Sequence, residues 1–503
     1  MKLYNKMSEL VKSKSDLINK CVFWYALIVM VYQAIYLVMP IRWCIYRFHL
    51  NPFSYALAMI GLLFAIVDFL FTGYWKKNKA SYLLLGIIAI LTVSAVINYQ
   101  YNFVQSVKSV IWQTVQMLVL FPLCTRFSKD KAIILFRRFF TAVCCVYIPG
   151  IIISLYQFLE GKRYAIIVDK VSTRQGYSEG RLFGVFSSPH FSSVCMLILG
   201  VLAIYFFTKT TKKSLRAMYV IFAVLFFTYV TAAGARSVQV GLACALAVSA
   251  FLFVRNRMQN KKIKAKRLIS AVIAVAMIGV CFLSFSICKT VLNWEKVGYM
   301  SITREIEYDE NGNPIFPDDE DEDDPNELEK EGLQRDDVNL SNISNNRFTI
   351  WTNYLETLVK SPVSIAVGMS PSGYMEKIIE NSPDLYIVQY IESHYPDMFA
   401  KDRIYDTHNA YLGALVMSGV VGLILLFTFL ILGFIRIVKH IHANRTVSAE
   451  FILGFALLVF ILAASFFDSD LFYRCTSTSV NFWVLAGFTL TLAGDVPKKE
   501  KSR

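Results

Sequence analysis

The chain has 503 residues, of which 55% are hydrophobic and only 17% are charged, and its formal net charge is +14. A soluble protein of this length carries more charge, so the composition excludes an ordinary soluble enzyme. The apolar residues fall in blocks about 20 residues long, the length that a helix needs to cross a bilayer core of roughly 30 Å. The sequence therefore predicts an all-α polytopic integral membrane protein.

About twelve transmembrane helices are predicted. The first 20 residues are polar and rich in lysine, which argues against a cleavable signal peptide. Asp68, a charge inside the second span, is either a functional residue or the structural partner of a buried Arg or Lys. The predicted spans lie near residues 21–41, 53–74, 80–97, 110–125, 139–159, 190–208, 217–234, 237–254, 268–288, 409–435, 449–466 and 476–494.

The connections between these spans alternate in charge. Alternate connections hold 31 of the 51 Lys and Arg residues, whereas the short connections between them hold five. Because cytoplasmic loops retain Lys and Arg, both termini, residues 1–20 and 495–503, are predicted to be cytoplasmic. The positive charge is thus a topology signal, and no nucleic-acid partner is predicted. The basic connections are the two termini and residues 76–79, 126–138, 209–216, 255–267 and 436–445.

Two large loops remain on the outer face, the third at residues 160–189 and the fifth at 289–407. They separate the first nine spans, within residues 21–288, from the last three, within 409–494. Outer loops are normally depleted in basic residues, yet the third loop contains five. It is either a hydrated basic loop or a binding site for a polyanionic lipid head group. The five residues are Lys162, Arg163, Lys170, Arg174 and Arg181.

The fifth outer loop has two unlike halves. Residues 305–331 contain fourteen acids and one base, and like-charge runs of this kind are usually solvated and disordered. A calcium site is the less favoured alternative, because Gly312 stands at the wrong position for an EF-hand. Residues 345–407 are predicted to fold, since Arg347, Trp351 and Leu358 recur on one face of a helix.

Two residues of the fifth loop are candidates for chemistry. His408 lies where the tenth span begins, and its unperturbed pKa near 6.5 allows proton transfer at working pH, with Asp406 close enough to orient it. It is alternatively a helix cap. The guanidinium of Arg347 suits phosphate oxygens, or it forms a surface salt bridge with the acidic tract. Arg236, in a very short turn between two spans, is a third candidate, because an Arg so close to hydrocarbon is often functional.

These residues resemble a pattern of the O-antigen ligase and O-antigen polymerase superfamily of bacterial membrane glycosyltransferases. The family has an Arg-x-x-x-Trp helix, then Pro and Gly, then His-Asn-x-x-Leu at the start of a span. The matching residues here are Arg347, Trp351, Pro362, Gly368, His408, Asn409, Leu412, Gly419 and Gly422.

The third loop also resembles the family, with two departures. Arg181 and Gly184 followed by Pro189 are similar to the family's Arg-x-x-Gly and Pro-Asn elements, but His190 stands where Asn is more usual. Arg236 is similar to a Ser-Arg element, although Ala235 replaces the Ser.

The resemblance implies a fold like that of the GT-C lipid-dependent glycosyltransferases and a bacterial cytoplasmic (inner) membrane location. It implies an undecaprenyl-diphosphate-linked donor glycan, inversion at the anomeric carbon, and no metal or other cofactor. Arg347 and Arg236 would contact the diphosphate, with Arg181 as a third candidate. Arg174 and Arg163 are further candidates because they belong to the basic third loop. His408 would act on the acceptor hydroxyl.

Three functions stay open. A polymerase of O-antigen or capsular polysaccharide is favoured over a ligase that transfers the glycan to lipid A-core of lipopolysaccharide or to protein, because the paired basic loops could hold two diphosphate lipids. A flippase for lipid-linked oligosaccharide would show internal repeats and charges at the membrane midplane, whereas the sequence shows no clear repeat and few charges within its spans. Beyond membrane lipids, expected partners are the flippase and the chain-length regulator of the same pathway.

Overall fold

The computed structural model of the protein describes residues 2–168, 171–178, 180–258, 263–303, 307–308, 314–315 and 347–494. Helices form most of this part of the chain, and its strands are few and short. Among the described residues, ten helices are long and apolar enough to cross a membrane. The prediction of an all-α polytopic membrane protein is therefore confirmed.

Eight helices precede the third outer loop. The second of the predicted spans continues past its α-helix as a π-helical turn to Thr72, and the fourth continues in the same way to Leu120. These helices are α1 (Lys2–Ser13), α2 (Ser15–Ile35), α3 (Met39–Arg47), α4 (Pro52–Val67), α5 (Ser81–Ile97), α6 (Phe103–Val115), α7 (Leu123–Arg126) and α8 (Lys129–Glu160).

Seven more long helices complete the bundle. Each of the twelve predicted spans overlaps a helix, although α5, with 17 residues, is shorter than the ten long apolar helices. The helices after the third loop are α9 (Pro189–Lys209), α10 (Lys213–Ala232), α11 (Arg236–Arg257) and α12 (Ile263–Thr303), and those after the fifth loop are α18 (Ala410–Ala443), α19 (Ala449–Ala464) and α20 (Ser477–Gly494).

Asp68 has a structural partner. Its carboxylate forms an ion pair with Arg126, and both side chains are fully buried. The guanidinium of Arg126 also lies 4.6 Å from the ring centroid of Tyr74. A buried charge is costly unless it is paired, so this contact explains how the second span tolerates a carboxylate. Of the two interpretations of Asp68, the structural one is confirmed.

The ninth predicted span, residues 268–288, lies inside a longer helix. Helix α12 continues to Thr303, because its last turns find a packing partner outside the bundle. The ammonium of Lys296 is buried 3.8 Å from the ring centroid of Tyr177, and Tyr299 donates a hydrogen bond to Glu160. The predicted disordered tract at 305–331 lies outside the described residues, apart from the paired strands Glu307–Tyr308 and Pro314–Ile315.

The predicted third outer loop forms a small antiparallel sheet in the order β1 (Arg163–Val168), β2 (Val171–Ser178) and β3 (Arg181–Gly184). Tyr177 is buried against Phe158 at the end of α8, which fixes the sheet to the bundle. Between β1 and β2 Arg163 pairs with Gly176, where an added Cβ would overlap the carbonyl of Lys162.

Residues 347–407 fold into five short helices, which lie with the sheet at one end of the bundle, here called the loop end. The first of them packs against the second, the fourth and the start of α18. They are α13 (Arg347–Val359), α14 (Pro362–Val367), α15 (Tyr374–Asn381), α16 (Tyr386–His394) and α17 (Pro396–Phe399).

Two glycines hold these short helices against α18. Gly419 interrupts the helix with φ 66° and ψ −172°, and Gly368 faces it with φ 88° and ψ 174°. This conformation is essentially restricted to glycine. The backbones touch here, since Met369 N donates to Val416 O at 2.7 Å.

Gly419→Ala is therefore expected to destabilise the protein by about 1–3 kcal/mol from backbone strain, in addition to overlap of the new Cβ with the carbonyl of Ala366. A lower midpoint of thermal unfolding in detergent would show this. Gly279→Ala is the matched control, because no atom of the described residues, apart from its own helix backbone and chain neighbours, lies within 4 Å of an added Cβ there. Equal midpoints for the two variants would contradict the prediction.

Candidate active site

A cavity of about 470 Å³ lies at the loop end, between the bundle and the short helices. We call it the arginine cavity, because Arg181, Arg236 and Arg347 all line it. Six stretches of the chain converge here. They are strand β3 with the start of α9, the turn between α10 and α11, helix α13, helix α16, the connection before α18 and the connection after α19. Residues far apart in sequence therefore meet at one surface.

The three arginines reach the cavity from different elements. Arg347 is the first residue of α13, and Arg236 is the first residue of α11. Arg181 opens β3, and its Nε donates a hydrogen bond to the carbonyl of Ala233 at 3.3 Å. Planar guanidinium groups that converge on one space suit an anion with several oxygens, such as a diphosphate.

The environment of Arg347 is partly apolar. Its guanidinium carbon lies 5.8 Å from the ring centroid of Phe467. Burial lowers the pKa of Arg347, the charge of Asp468 raises it in part, and nearby Arg236 lowers it again. An arginine remains charged under such influences, so its positive charge stays in a half-buried site where a bound anion would interact strongly.

A hydrogen-bonded turn holds His408 at the cavity. His408 has φ 46°, and the next residue, Asn409, caps α18 by accepting hydrogen bonds from the backbone N–H groups of Tyr411 and Leu412 at 2.9 and 3.0 Å. Trp351 of α13 donates from Nε1 to the carbonyl of Thr407 at 2.8 Å. The helix that starts at Arg347 is thus connected directly to the turn that carries His408.

The pKa of His408 is lower than that of a free histidine, so His408 can act as a base at a lower pH. Burial lowers its pKa, the carboxylates of Asp468 and Asp406 raise it in part, and Arg347 and His190 lower it. The neutral imidazole, which accepts a proton, therefore persists to a lower pH than in a free histidine.

A second histidine in the cavity belongs to a hydrogen-bonded triad. His190 Nε2 lies 3.1 Å from Asp468 Oδ2, and its Nδ1 lies 3.0 Å from Ser237 Oγ. Burial raises the pKa of Asp468 to about 6, although the charges of His408 and Arg347 act in the opposite direction. His190 is thus held between a carboxylate and a hydroxyl beside the three arginines.

The carboxylate of Asp406 has other partners than His408. It forms an ion pair with Arg474 and accepts hydrogen bonds from Tyr374 at 3.0 Å and from the backbone N–H of Thr407 at 2.7 Å. Burial opposes its ionisation, but the charge of Arg474 and these hydrogen bonds hold the pKa of Asp406 below its usual value. Its contribution to His408 is a nearby negative charge.

The other arginines predicted as candidates do not line this cavity. Arg163 and Arg174 lie on β1 and β2, where Arg174 is the register partner of Ala165. The charge of Arg174 nevertheless acts on Tyr405, whose ring is part of the cavity wall. A role for these two residues in substrate binding stays a prediction.

Sequence analysis did not identify Asp468, Ser469 or Arg474 as site residues. A signal was present, because the short connection between the last two predicted spans holds three charged residues, Asp468, Asp470 and Arg474, within seven positions. Charges at the membrane surface in so short a turn are candidates for function.

A region of the chain matches a known family. Residues 221–427 match the family model Wzy_C, described as O-antigen ligase. The region extends from α10 into α18 and contains Arg236, Arg347 and His408. The resemblance to the O-antigen ligase and polymerase superfamily is therefore confirmed, and the protein is a membrane protein of glycan processing. A search of curated proteins found no match.

Proposed function

We propose that the protein is a glycosyltransferase that moves a glycan from undecaprenyl diphosphate to an acceptor hydroxyl on the outer face of the bacterial cytoplasmic membrane. One observation carries this proposal: Arg181, Arg236 and Arg347 line the same cavity as His408. A diphosphate leaving group needs positive charge, and an attacking hydroxyl needs a base. The outer face is assigned from the alternation of basic connections.

In the proposed reaction, the acceptor oxygen attacks the anomeric carbon of the donor sugar and forms the new glycosidic bond. The bond between that carbon and the diphosphate oxygen breaks, and the electron pair leaves with undecaprenyl diphosphate. The arginines stabilise the negative charge that develops there, and they do so without rearrangement because they already converge. His408 takes the hydroxyl proton, and attack opposite the leaving group inverts the anomeric configuration.

The triad of Ser237, His190 and Asp468 would hold the second histidine in a fixed orientation beside the diphosphate. A hydrogen bond on each ring nitrogen fixes both the rotation and the tautomer of an imidazole. Asp468 also supplies a negative charge that favours the protonated form of His408 after it accepts the proton.

Among the possible acceptors, we favour another lipid-linked repeat unit, which makes the protein a polymerase of O-antigen or capsular polysaccharide. The supporting observation is a second set of basic residues, Arg163 and Arg174, on the sheet next to the arginine cavity. Two diphosphate lipids must be bound at once in a polymerase. A ligase, which needs lipid A-core or protein as acceptor, is the second candidate because the matching family carries that description.

The test is a transfer assay with the full-length protein in lipid nanodiscs and one lipid-diphosphate-linked repeat unit as the only substrate. The expected product is a ladder of glycans separated by one repeat, with one undecaprenyl diphosphate released for each bond formed. Transfer only after addition of lipid A-core or protein would show a ligase and contradict the polymerase assignment. Absence of transfer to all three acceptors, with the repeat unit translocated in liposomes, would overturn the enzyme proposal.

A further inference from the structure

A second and larger cavity lies at the loop end, on the side of the first four spans. Its volume is about 650 Å³. We call it the tyrosine cavity, because Tyr32, Tyr36, Tyr46 and Tyr55 line it. Its other walls come from the start of α6 and from residues 372–376 and 401–403 of the folded half of the fifth loop. None of the residues considered so far for the transfer reaction lines it.

A thin partition separates the two cavities. The ion pair of Asp406 with Arg474, joined by the hydroxyl of Tyr374, forms this partition. Asp406 lines the arginine cavity, whereas the immediate neighbours of the other two residues, Gly373 and Cys475, line the tyrosine cavity. The hydrogen-bonded contact among Asp406, Tyr374 and Arg474 therefore connects the walls of the two cavities.

The aromatic lining of the tyrosine cavity suits the apolar faces of sugar rings. Trp112 closes its base and is 2% exposed, and Tyr55 is 44% exposed at its rim. The ammonium of Lys108 lies 4.0 Å from the ring centroid of Tyr55 and fixes the position of that ring. Aromatic side chains with a polar edge offer both a stacking surface and a hydrogen bond at low entropic cost.

The polar groups between the aromatic rings are amides and carboxylates, which form hydrogen bonds with hydroxyl groups. Asn51, Asn102 and Gln105 present side-chain amides, which both donate and accept hydrogen bonds. Glu376 and Asp402 add carboxylates, and burial followed by the charge of Asp402 raises the pKa of Glu376. This lining can satisfy many hydroxyls on one ligand.

The lining of the tyrosine cavity, and not its net charge, distinguishes it from a diphosphate site. Each cavity is lined by three basic side chains and two carboxylates, a net charge of about +1. All three basic groups of the arginine cavity are guanidinium groups, which suit diphosphate oxygens, whereas the tyrosine cavity has one guanidinium among four tyrosines and several amides. A polyhydroxylated ligand therefore fits the tyrosine cavity better than a lipid diphosphate does.

We propose that the tyrosine cavity is a glycan-binding site that holds sugar residues of the acceptor while its terminal hydroxyl reaches past the Asp406 and Arg474 partition. This inference rests on the proposed transfer reaction for its biological role. The binding itself is independent of catalysis, because no residue of the tyrosine cavity takes part in bond formation.

The test is calorimetric titration of the full-length protein in nanodiscs with one probe, the free repeat-unit oligosaccharide released by mild acid from the lipid-linked donor. Tyr55→Ala and Gln105→Ala are expected to weaken its binding at least about tenfold each. The side chain of Gln105 is exposed, and its backbone carbonyl, which accepts a hydrogen bond from Ser372, remains in the variant. Tyr99→Ala is the matched control, since Tyr99 is 68% exposed and lines neither cavity.

The outcomes separate this inference from the proposed function. Binding of the oligosaccharide that is weakened in both variants but not in the control supports the site, even if no transfer is ever observed. Transfer with unchanged oligosaccharide affinity and unchanged half-saturation by acceptor in both variants would overturn the site and leave the transferase proposal intact. A loss of affinity for undecaprenyl diphosphate alone in these variants would also overturn it, because the cavity would then be a lipid-diphosphate site.

Discussion

Arg347→Ala is expected to lower kcat/KM for glycan transfer by about 10²–10³-fold, the usual loss when one preorganised donor to a developing anion is removed. Arg347 is half-buried beside Phe467 and Asp468, so water can replace its charge only in part. The loss should fall mainly on kcat, because the interaction strengthens as the diphosphate departs. The measurement is release of undecaprenyl diphosphate at varied donor concentration.

Arg347→Lys separates charge from geometry. An ammonium keeps the positive charge but loses the planar fork that can hold two oxygens at once, so we expect an intermediate loss of about tenfold. Arg47→Ala is the control, since Arg47 is an exposed residue at the end of α3, outside both cavities. If Arg347→Ala kept wild-type kcat with a normal unfolding midpoint, Arg347 would have no role in departure of the diphosphate.

The helical bundle could be predicted from the sequence because bilayer thickness imposes the same length and apolarity on every span. The third outer loop could not be predicted in the same way. Strands β1 to β3 are short, and their residues do not alternate clearly between apolar and polar, so local pattern is weak. Their position depends on Tyr177, which packs against Phe158 and Lys296 from distant parts of the chain.

The extension of α12 has the same physical origin. Lys289, directly after the apolar run, suggests exit from the membrane, yet the helix continues to Thr303 and Lys296 is buried against an aromatic ring of the sheet. Charge alone sets where a helix leaves hydrocarbon, not where it ends. The end of the helix depends on tertiary packing beyond the bilayer, and this packing cannot be derived from the periodicity of the sequence.

The candidate site was partly accessible from sequence. Arg236 and Arg347 are each the first residue of a helix, and His408 stands two residues before one, where a polar residue next to an apolar run is conspicuous. Their meeting in one cavity could not be derived from that position alone. The contact between His190 and Asp468 joins residues that follow the predicted third outer loop and the predicted helix before the last one. Nothing in the sequence around either residue indicates that the two side chains meet.

His408→Asn is expected to lower kcat for glycan transfer by about 10²–10⁴-fold, the usual contribution of a positioned general base. Asparagine is the suitable replacement because His408 has φ 46°, a conformation that asparagine adopts more readily than most residues. The cap that Asn409 provides to α18 should therefore survive. Asparagine is unable to accept the proton in place of the imidazole. An unchanged midpoint of thermal unfolding would show that the loss of kcat comes from the missing base and not from unfolding.

The pH dependence of kcat/KM gives an independent test of the same residue. Burial, together with the charge of Arg347, lowers the pKa of His408, although the charges of Asp468 and Asp406 act in the opposite direction. A larger fraction of His408 is therefore neutral at a given acidic pH than of a free histidine. A base must be neutral to act, and activity should therefore fall on the acid side only below pH 6.5, the usual pKa of histidine. That acid limb should disappear from the residual activity of His408→Asn. An acid limb above pH 6.5, or one that is identical in wild type and variant, would assign the base to another group in the cavity. His190 is the nearest alternative, because its Nε2 already contacts the carboxylate of Asp468.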